Sequence, residues 1–206
     1  MLASVFSDNQ IMKIGLYFGS FNPIHNGHLI VAQFMLNQAG LDEVWFVVSP
    51  QNPLKSAKDL FPESDRLEMV KLAIGQHSKI KCCDIEFNLT RPSYTANTLK
   101  ALGTKYPDHE FELIMGTDTL QHLDKWKDYE HILMNYKTLS YQREGSTGGE
   151  FAKNQKVKIY KAPAIQISAT YIRGLLRMNK SVRYLIPEAV NEYLISITSL
   201  EEMVSA

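Results

Sequence analysis

Two histidines three residues apart, His25 and His28, lie in segment 19–28, which reads G-S-F-N-P-I-H-N-G-H. The segment follows an apolar run and precedes a stretch of helical periodicity that opens at about Asn26. Chemistry suited to an anion is at hand there. A helix N-terminus leaves N–H groups without intrahelical acceptors and carries partial positive charge, which suits phosphate. Two imidazoles at this spacing reach one point in space, donate to phosphate oxygens and carry charge readily beside anions. Gly19 allows a tight turn, and Gly27 lets backbone come close to a ligand. The plainer alternative is a structural or solvated histidine pair. A metal site lacks a third ligand here. The dinucleotide fingerprint G-x-G-x-x-G is absent, as is the P-loop ending Gly-Lys-Ser/Thr, which counts against a dehydrogenase and a P-loop ATPase.

The elements that must position these residues alternate along the chain. Residues 14–18, 44–48 and 111–115 are short apolar runs that suit buried strands. Weaker strand patterns cover 79–87 (one or two strands), 138–141 and 157–160. Helical patterns cover 26–39, a stretch capped by Ser64 and running to Ile74, 94–106, short pieces through Met134, 169–178 and 187–197. Segment 146–155 is polar, contains Gly148 and Gly149, and reads as a mobile loop. Strands alternating with helices predict an α/β fold: a Rossmann-like, mostly parallel sheet with helices on both faces and a small helical C-terminal part. The expected division is an N-terminal extension over 1–12, a main domain over 13–165, and a C-terminal helix and appendage over 166–206. In such sheets ligands bind beyond the carboxyl ends of the strands. The segments after Phe18, Val48 and Met115 should therefore line one site.

Composition narrows the class. The 206 residues carry 22 Lys plus Arg and 22 Asp plus Glu, a formal net charge of zero. A coat for nucleic acid or anionic lipid needs a cationic excess, so neither is an expected partner. Cys82 and Cys83 are adjacent and are the only two cysteines, which rules out a disulfide framework and suits a cytoplasmic protein. No apolar run approaches the roughly 18–20 residues of a membrane span. Residues 1–10 have neither the basic start nor the apolar core of a secretory signal, and Met12 is an alternative start.

Segment 21–28 resembles the F-x-P-x-H-x-G-H signature of the nucleotidyltransferase superfamily, whose members attach AMP or CMP to small phosphorylated acceptors. Residues 167–173, I-S-A-T-Y-I-R, are similar to the I-S-S-T-x-I-R element that holds ATP phosphates at a helix start in that superfamily, with Ala169 replacing the usual serine. Alone, this stretch would be an ordinary N-capped helix. Residues 91–99, R-P-S-Y-T-A-N-T-L, resemble a stretch of bacterial nicotinate-nucleotide adenylyltransferases, as do Gly116, Asp118, Leu123 and Trp126 in their G-x-D-x-x-x-x-L-x-x-W spacing. Residues 50–55 are similar to a loop ending P-P-H-K, with its histidine missing and Lys55 kept. Residues 141–145 are a weakened Y-P-R-P-G turn without its prolines. The resemblance covers about 13–194.

The resemblance implies adenylyl transfer from ATP to nicotinate mononucleotide, giving nicotinate adenine dinucleotide and pyrophosphate, a step of NAD synthesis. It implies Mg²⁺ bound mainly through ATP phosphates, with no metal ligands from the protein. His25, His28, Lys55 and Arg173 would act in catalysis. Gly19, Ser20, Phe21, Gly27, Gly116, Asp118, Ile167, Ser168 and Thr170 would join both histidines and Arg173 around ATP. Asn22, Lys55, Ser93, Tyr94, Thr95, Trp126 and Lys127 would hold the acceptor. Plainer roles stand beside these: Trp126 as a half-buried anchor, Asp118 as a helix cap, Ser93 and Thr95 as caps, Lys55 as a solvated lysine, and Arg91 paired with Glu86. His77, His109, His122 and His131 read as surface or structural. Rival readings are a superfamily enzyme with nicotinamide mononucleotide or phosphopantetheine as acceptor, a regulatory nucleotide-binding module, and a tRNA synthetase, for which the chain is too short. The sequence leaves oligomeric state open, a homo-oligomer included.

Overall fold

The computed structural model describes residues 11–51, 60–163 and 166–204, with side chains to 197. Lys55 lies outside the described residues. Six strands form one sheet: β1 (Lys13–Gly19), β2 (Glu43–Val48), β3 (Ile80–Cys83), β4 (Glu110–Gly116), β5 (Thr138–Tyr141) and β6 (Val157–Tyr160). Their order is β3-β2-β1-β4-β5-β6 and every pairing is parallel. The helices are α1 (Asn26–Gln38), α2 (Glu63–Ile74), α3 (Thr95–Lys105), α4 (Thr117–Leu120), α5 (Tyr129–Asn135), α6 (Ala169–Arg177) and α7 (Glu188–Val204).

The two faces of the sheet explain the sequence of β1. Ile14 and Leu16 join the apolar cluster that includes Leu99 and Leu102 of α3 and Ile132 of α5. Tyr17 points the other way, into the cluster of Val31, Met35, Met69, Ile172, Val190 and Leu194 from α1, α2, α6 and α7. A strand covered on both faces reads as a continuous apolar run, which is why β1, β2 and β4 stand out in the sequence. Strand order reverses between β1 and β4, and a crevice opens at the carboxyl ends of such a pair.

Three local expectations differ from the structure, and a fourth, one or two strands over 79–87, resolves to one. The helix expected at Ser64 begins at Glu63: the Pro62 carbonyl accepts the N–H groups of Asp65 and Arg66 at 3.1 Å each, and Ser64 sits inside the first turn. Segment 79–87 yields one strand, β3, then a 3₁₀ turn at Ile85–Asn88. That turn directs Glu86 inward. It is 1% exposed and accepts a 2.7 Å bond from the Thr98 hydroxyl, so Arg91 pairs instead with Glu63 at 2.6 Å. Segment 146–155 holds a 3₁₀ turn at Gly149–Lys153, and Ser146 is buried, its hydroxyl 2.8 Å from Gln121 Oε1. Ser146 is thus tied to the end of α4, while Thr147, Glu150, Lys153 and Gln155 stay exposed.

Candidate active site

Beyond the carboxyl ends of the strands lie two cavities. The larger, about 800 Å³, is walled by the β1–α1 loop, the end of β5 and the entry to α6. The smaller, about 540 Å³, is walled by the segment 93–95, the end of β4 and residues 122–127. Tyr17 and Asp118 line both, so the cavities are neighbours at the β1–β4 crevice.

In the larger cavity the structure brings together Ser20, Asn22, His25, Gly27 and His28 with Asp118, Ile167, Ser168, Thr170 and Arg173. The two imidazoles stack with centroids 3.7 Å apart. Backbone N–H of His25 donates to His28 Nδ1 at 3.2 Å. An accepting Nδ1 leaves the ring proton of His28 on Nε2, as a donor. His25 is 5% exposed. Burial pushes its pKa down to about 4, and the positive charge of Arg143 adds to the effect. It is thus neutral at pH 7, and its buried Nδ1 has no hydrogen-bond partner. Arg173 donates through one guanidinium nitrogen to the Asn22 carbonyl at 2.9 Å, joining α6 to the first loop across 151 residues. Its Nε is buried and likewise without a partner. Buried polar atoms normally find partners. Both residues line the larger cavity, while these two nitrogens are themselves buried behind its surface.

Ser168 caps α6 by accepting the Tyr171 N–H at 3.2 Å, which leaves its hydroxyl proton for donation. Thr170 Oγ1 accepts a 3.4 Å contact from Arg173. Asp118 does not cap α4 with its side chain; its carboxylate lies 3.8 Å from Arg143 Nε. Carboxylates lining this cavity are Asp118 and Glu144, and Glu144 is bonded to Gln166. Among the described residues no group of three His, Cys, Asp or Glu stands together as a metal cage. Asp118 and Glu144 offer carboxylate oxygens of the kind Mg²⁺ takes.

Three residues expected around ATP do not line the larger cavity. Phe21 is 2% exposed and lies beneath the site, its ring 5.2 Å from that of His28. Gly19 lines the smaller cavity, and a Cβ there would meet the Phe21 ring at 2.8 Å, so its glycine is required by that packing. Gly116 also lines the smaller cavity, where a Cβ would collide with Asp118 and Arg143. Asn22, expected at the acceptor, lines the larger cavity and uses Oδ1 to accept the Phe61 N–H at 2.9 Å. Ser93, Tyr94, Thr95, Trp126 and Lys127 do meet, in the smaller cavity. Lys127 Nζ stands 5.0 Å from the Tyr94 ring centre, a cation–π contact.

The sequence reading missed several residues. Arg66 is 1% exposed and donates to four carbonyls: Ser20 at 2.7 Å, Ser49 at 2.8 Å, Pro50 at 2.7 Å and Phe61 at 3.1 Å. It clamps the loops that follow β1 and β2 to the start of α2. Inside a helical segment it looked like any solvated arginine, and no local signal marks it. His122 lines the smaller cavity, and Tyr17, Tyr141 and Arg143 line the larger. Residues 141–145 held the signal for the last two as a weakened turn motif.

A family model described as Cytidylyltransferase-like matches residues 16–175. The chain belongs to the cytidylyltransferase-like family. The matched span contains both helix starts that meet in the larger cavity. Among curated relatives, a "probable nicotinate-nucleotide adenylyltransferase" of Cytophaga hutchinsonii is 48% identical over 185 residues, covering 90% of this chain and 96% of the relative. One of the same name from Flavobacterium psychrophilum is also 48% identical, covering 89% and 96%. Among solved structures, Plasmodium falciparum nicotinic acid mononucleotide adenylyltransferase complexed with NaAD superposes with TM-score 0.77 at 22% identity, over 90% of this chain and 96% of that one. The shared fold is the Rossmann-like one that the strand pattern predicts. No helix among the described residues is long and apolar enough to cross a membrane.

Proposed function

We propose that this protein transfers the adenylyl group of ATP to nicotinate mononucleotide, with ATP in the larger cavity and the acceptor's pyridine end in the smaller. The observation that carries the reading is the convergence of His25, His28, Ser168, Thr170 and Arg173 on one cavity that adjoins an aromatic pocket. The relatives' names, at 48% identity over 96% of their length, support the choice of acceptor.

The acceptor's phosphate oxygen attacks the α-phosphorus in line. The bond to the bridging oxygen breaks, and pyrophosphate leaves with the electron pair. The substrate brings its own nucleophile, so catalysis is positioning and stabilisation of charge on phosphoryl oxygens. His28, with its proton on Nε2, donates to the α-phosphoryl group. His25, Ser168, Thr170 and Arg173 hold the outer phosphates, and Lys55 adds positive charge to the triphosphate or acceptor phosphate. Asp118, shared by both cavities, takes a ribose hydroxyl. Trp126 stacks on the pyridine ring, and Thr95 receives its carboxylate. Mg²⁺, when bound, neutralises triphosphate charge.

The test is pyrophosphate release with ATP and Mg²⁺, offering nicotinate mononucleotide, nicotinamide mononucleotide and phosphopantetheine in turn. Strong preference for the first is expected; equal or better turnover of the amide would sink the acceptor assignment.

A further inference from the structure

The Tyr17 and Tyr141 hydroxyls have no role in the scheme above. Tyr17 belongs to β1 and is 5% exposed; Tyr141 ends β5. Their hydroxyl oxygens are 2.9 Å apart, with either one able to donate. Two hydroxyls carry two protons, and the mutual bond uses one. Neither hydroxyl has another hydrogen-bond partner among the described residues. Burial raises the pKa of both phenols, so both protons stay in place at neutral pH. The pair therefore keeps one O–H without a protein acceptor.

Packing does not account for the hydroxyls. The Tyr17 ring stacks on Phe46 at 5.4 Å and meets Phe21 edge-on at 6.0 Å, contacts that a phenylalanine would make equally well. Burying a hydroxyl, as at Tyr17, costs free energy that a phenylalanine would not incur. What the hydroxyls add is a donor at a special place. Tyr17 lines both cavities, its ring is 6.0 Å from that of His28, and both tyrosines line the larger cavity.

We propose that the Tyr17–Tyr141 pair is a substrate-positioning donor, giving its unused hydroxyl proton to an oxygen of the adenylyl group where the two cavities join. This rests on the functional reading above. The group that passes from one substrate to the other must be reached from both cavities, and among the described residues only Tyr17 and Asp118 line both. Asp118 offers acceptors, whereas the tyrosine pair offers a donor. A phenol donating to an anionic phosphoryl oxygen makes a charge-assisted bond without carrying net charge itself.

The test uses Tyr17→Phe, Tyr141→Phe and the double variant. Binding of an ATP analogue with a methylene group between the α- and β-phosphorus is followed by titration calorimetry. Steady-state KM for both substrates is measured alongside. Either single variant keeps one hydroxyl proton and should weaken analogue binding by about twofold to fourfold. The double variant loses the donor and should weaken it roughly tenfold, the size of one hydrogen bond to a charged group. The acceptor KM should stay within about twofold in all three, because the donor meets the adenylyl group. Unchanged analogue affinity in the double variant overturns the proposal. So does an effect confined to the acceptor, or an equal loss for both substrates with a lowered Tm, which would mark a structural role. The change in analogue affinity between the unaltered protein and the variants reads this inference directly, while the acceptor series reads the functional assignment, so either can fail alone.

Discussion

The two neighbouring cavities are built on opposite plans. The larger takes most of its wall from residues 17–31 and from residues beyond 140, and its distinguishing groups are the side chains of His25, His28, Ser168, Thr170 and Arg173. The smaller takes most of its wall from 93–127 and presents Tyr94 and Trp126, with Lys127 over the Tyr94 ring. An anion must be met by several donors at once, and those come from two distant helix starts joined by the Arg173–Asn22 bond. A flat ring needs mainly surface, which a short contiguous segment can supply. Tyr17 and Asp118, common to both walls, mark where one plan gives way to the other.

That contrast can be broken or sharpened at four points. His28→Ala should lower kcat by about a hundredfold or more, since one preorganised donor is worth roughly 3 kcal/mol in such sites. Near-normal kcat in steady-state assays would remove His28 from the transition state. Arg66→Met keeps most of the bulk but deletes all four bonds to the loop carbonyls. A loss of about 2–3 kcal/mol in urea unfolding is expected, because buried carbonyls are left without donors. A stability equal to the parent's would mean that the loops hold themselves.

Trp126→Ala should raise the acceptor KM by about tenfold, in line with roughly 1–3 kcal/mol for base–aromatic stacking, and leave the ATP KM alone. A shift in the ATP KM of the same size would erase the division between the cavities. The smallest effect concerns His25. Its folded pKa of about 4 lies below the ordinary 6.5, so between these values the unfolded chain binds more protons at this ring than the native one. The contribution to stability is complete above pH 6.5 and falls as pH drops toward 4. His25→Gln should flatten that part of the pH–stability curve measured by thermal unfolding; an unaltered slope would mean the ring titrates normally.

How much was legible follows from the range of each interaction. Strands β1, β2 and β4 showed as apolar runs because both faces of the sheet are covered, and α1 and α6 showed through periodicity and short polar starts. The start of α2 was misplaced because Ser64 looked like a cap while the Pro62 carbonyl took that role. The turn at 149–153 read as open loop because nothing in its polar composition foretells that Ser146 bonds Gln121 and Gly148 packs on Leu120. Glu86 and Arg66 looked like surface charges; each is buried by partners far along the chain.

By itself the sequence determined the alternation of strands and helices, the two phosphate-suited helix starts and the aromatic segment after β4, all of which arise from neighbours within one or two turns. Only the tertiary structure decided that β4 lies beside β1, that Arg173 reaches Asn22, that Arg66 binds four loop carbonyls, and that Tyr17 meets Tyr141 across 124 residues. Those contacts depend on which strand docks next to which, and the pattern of any single element carries no information about its distant neighbour.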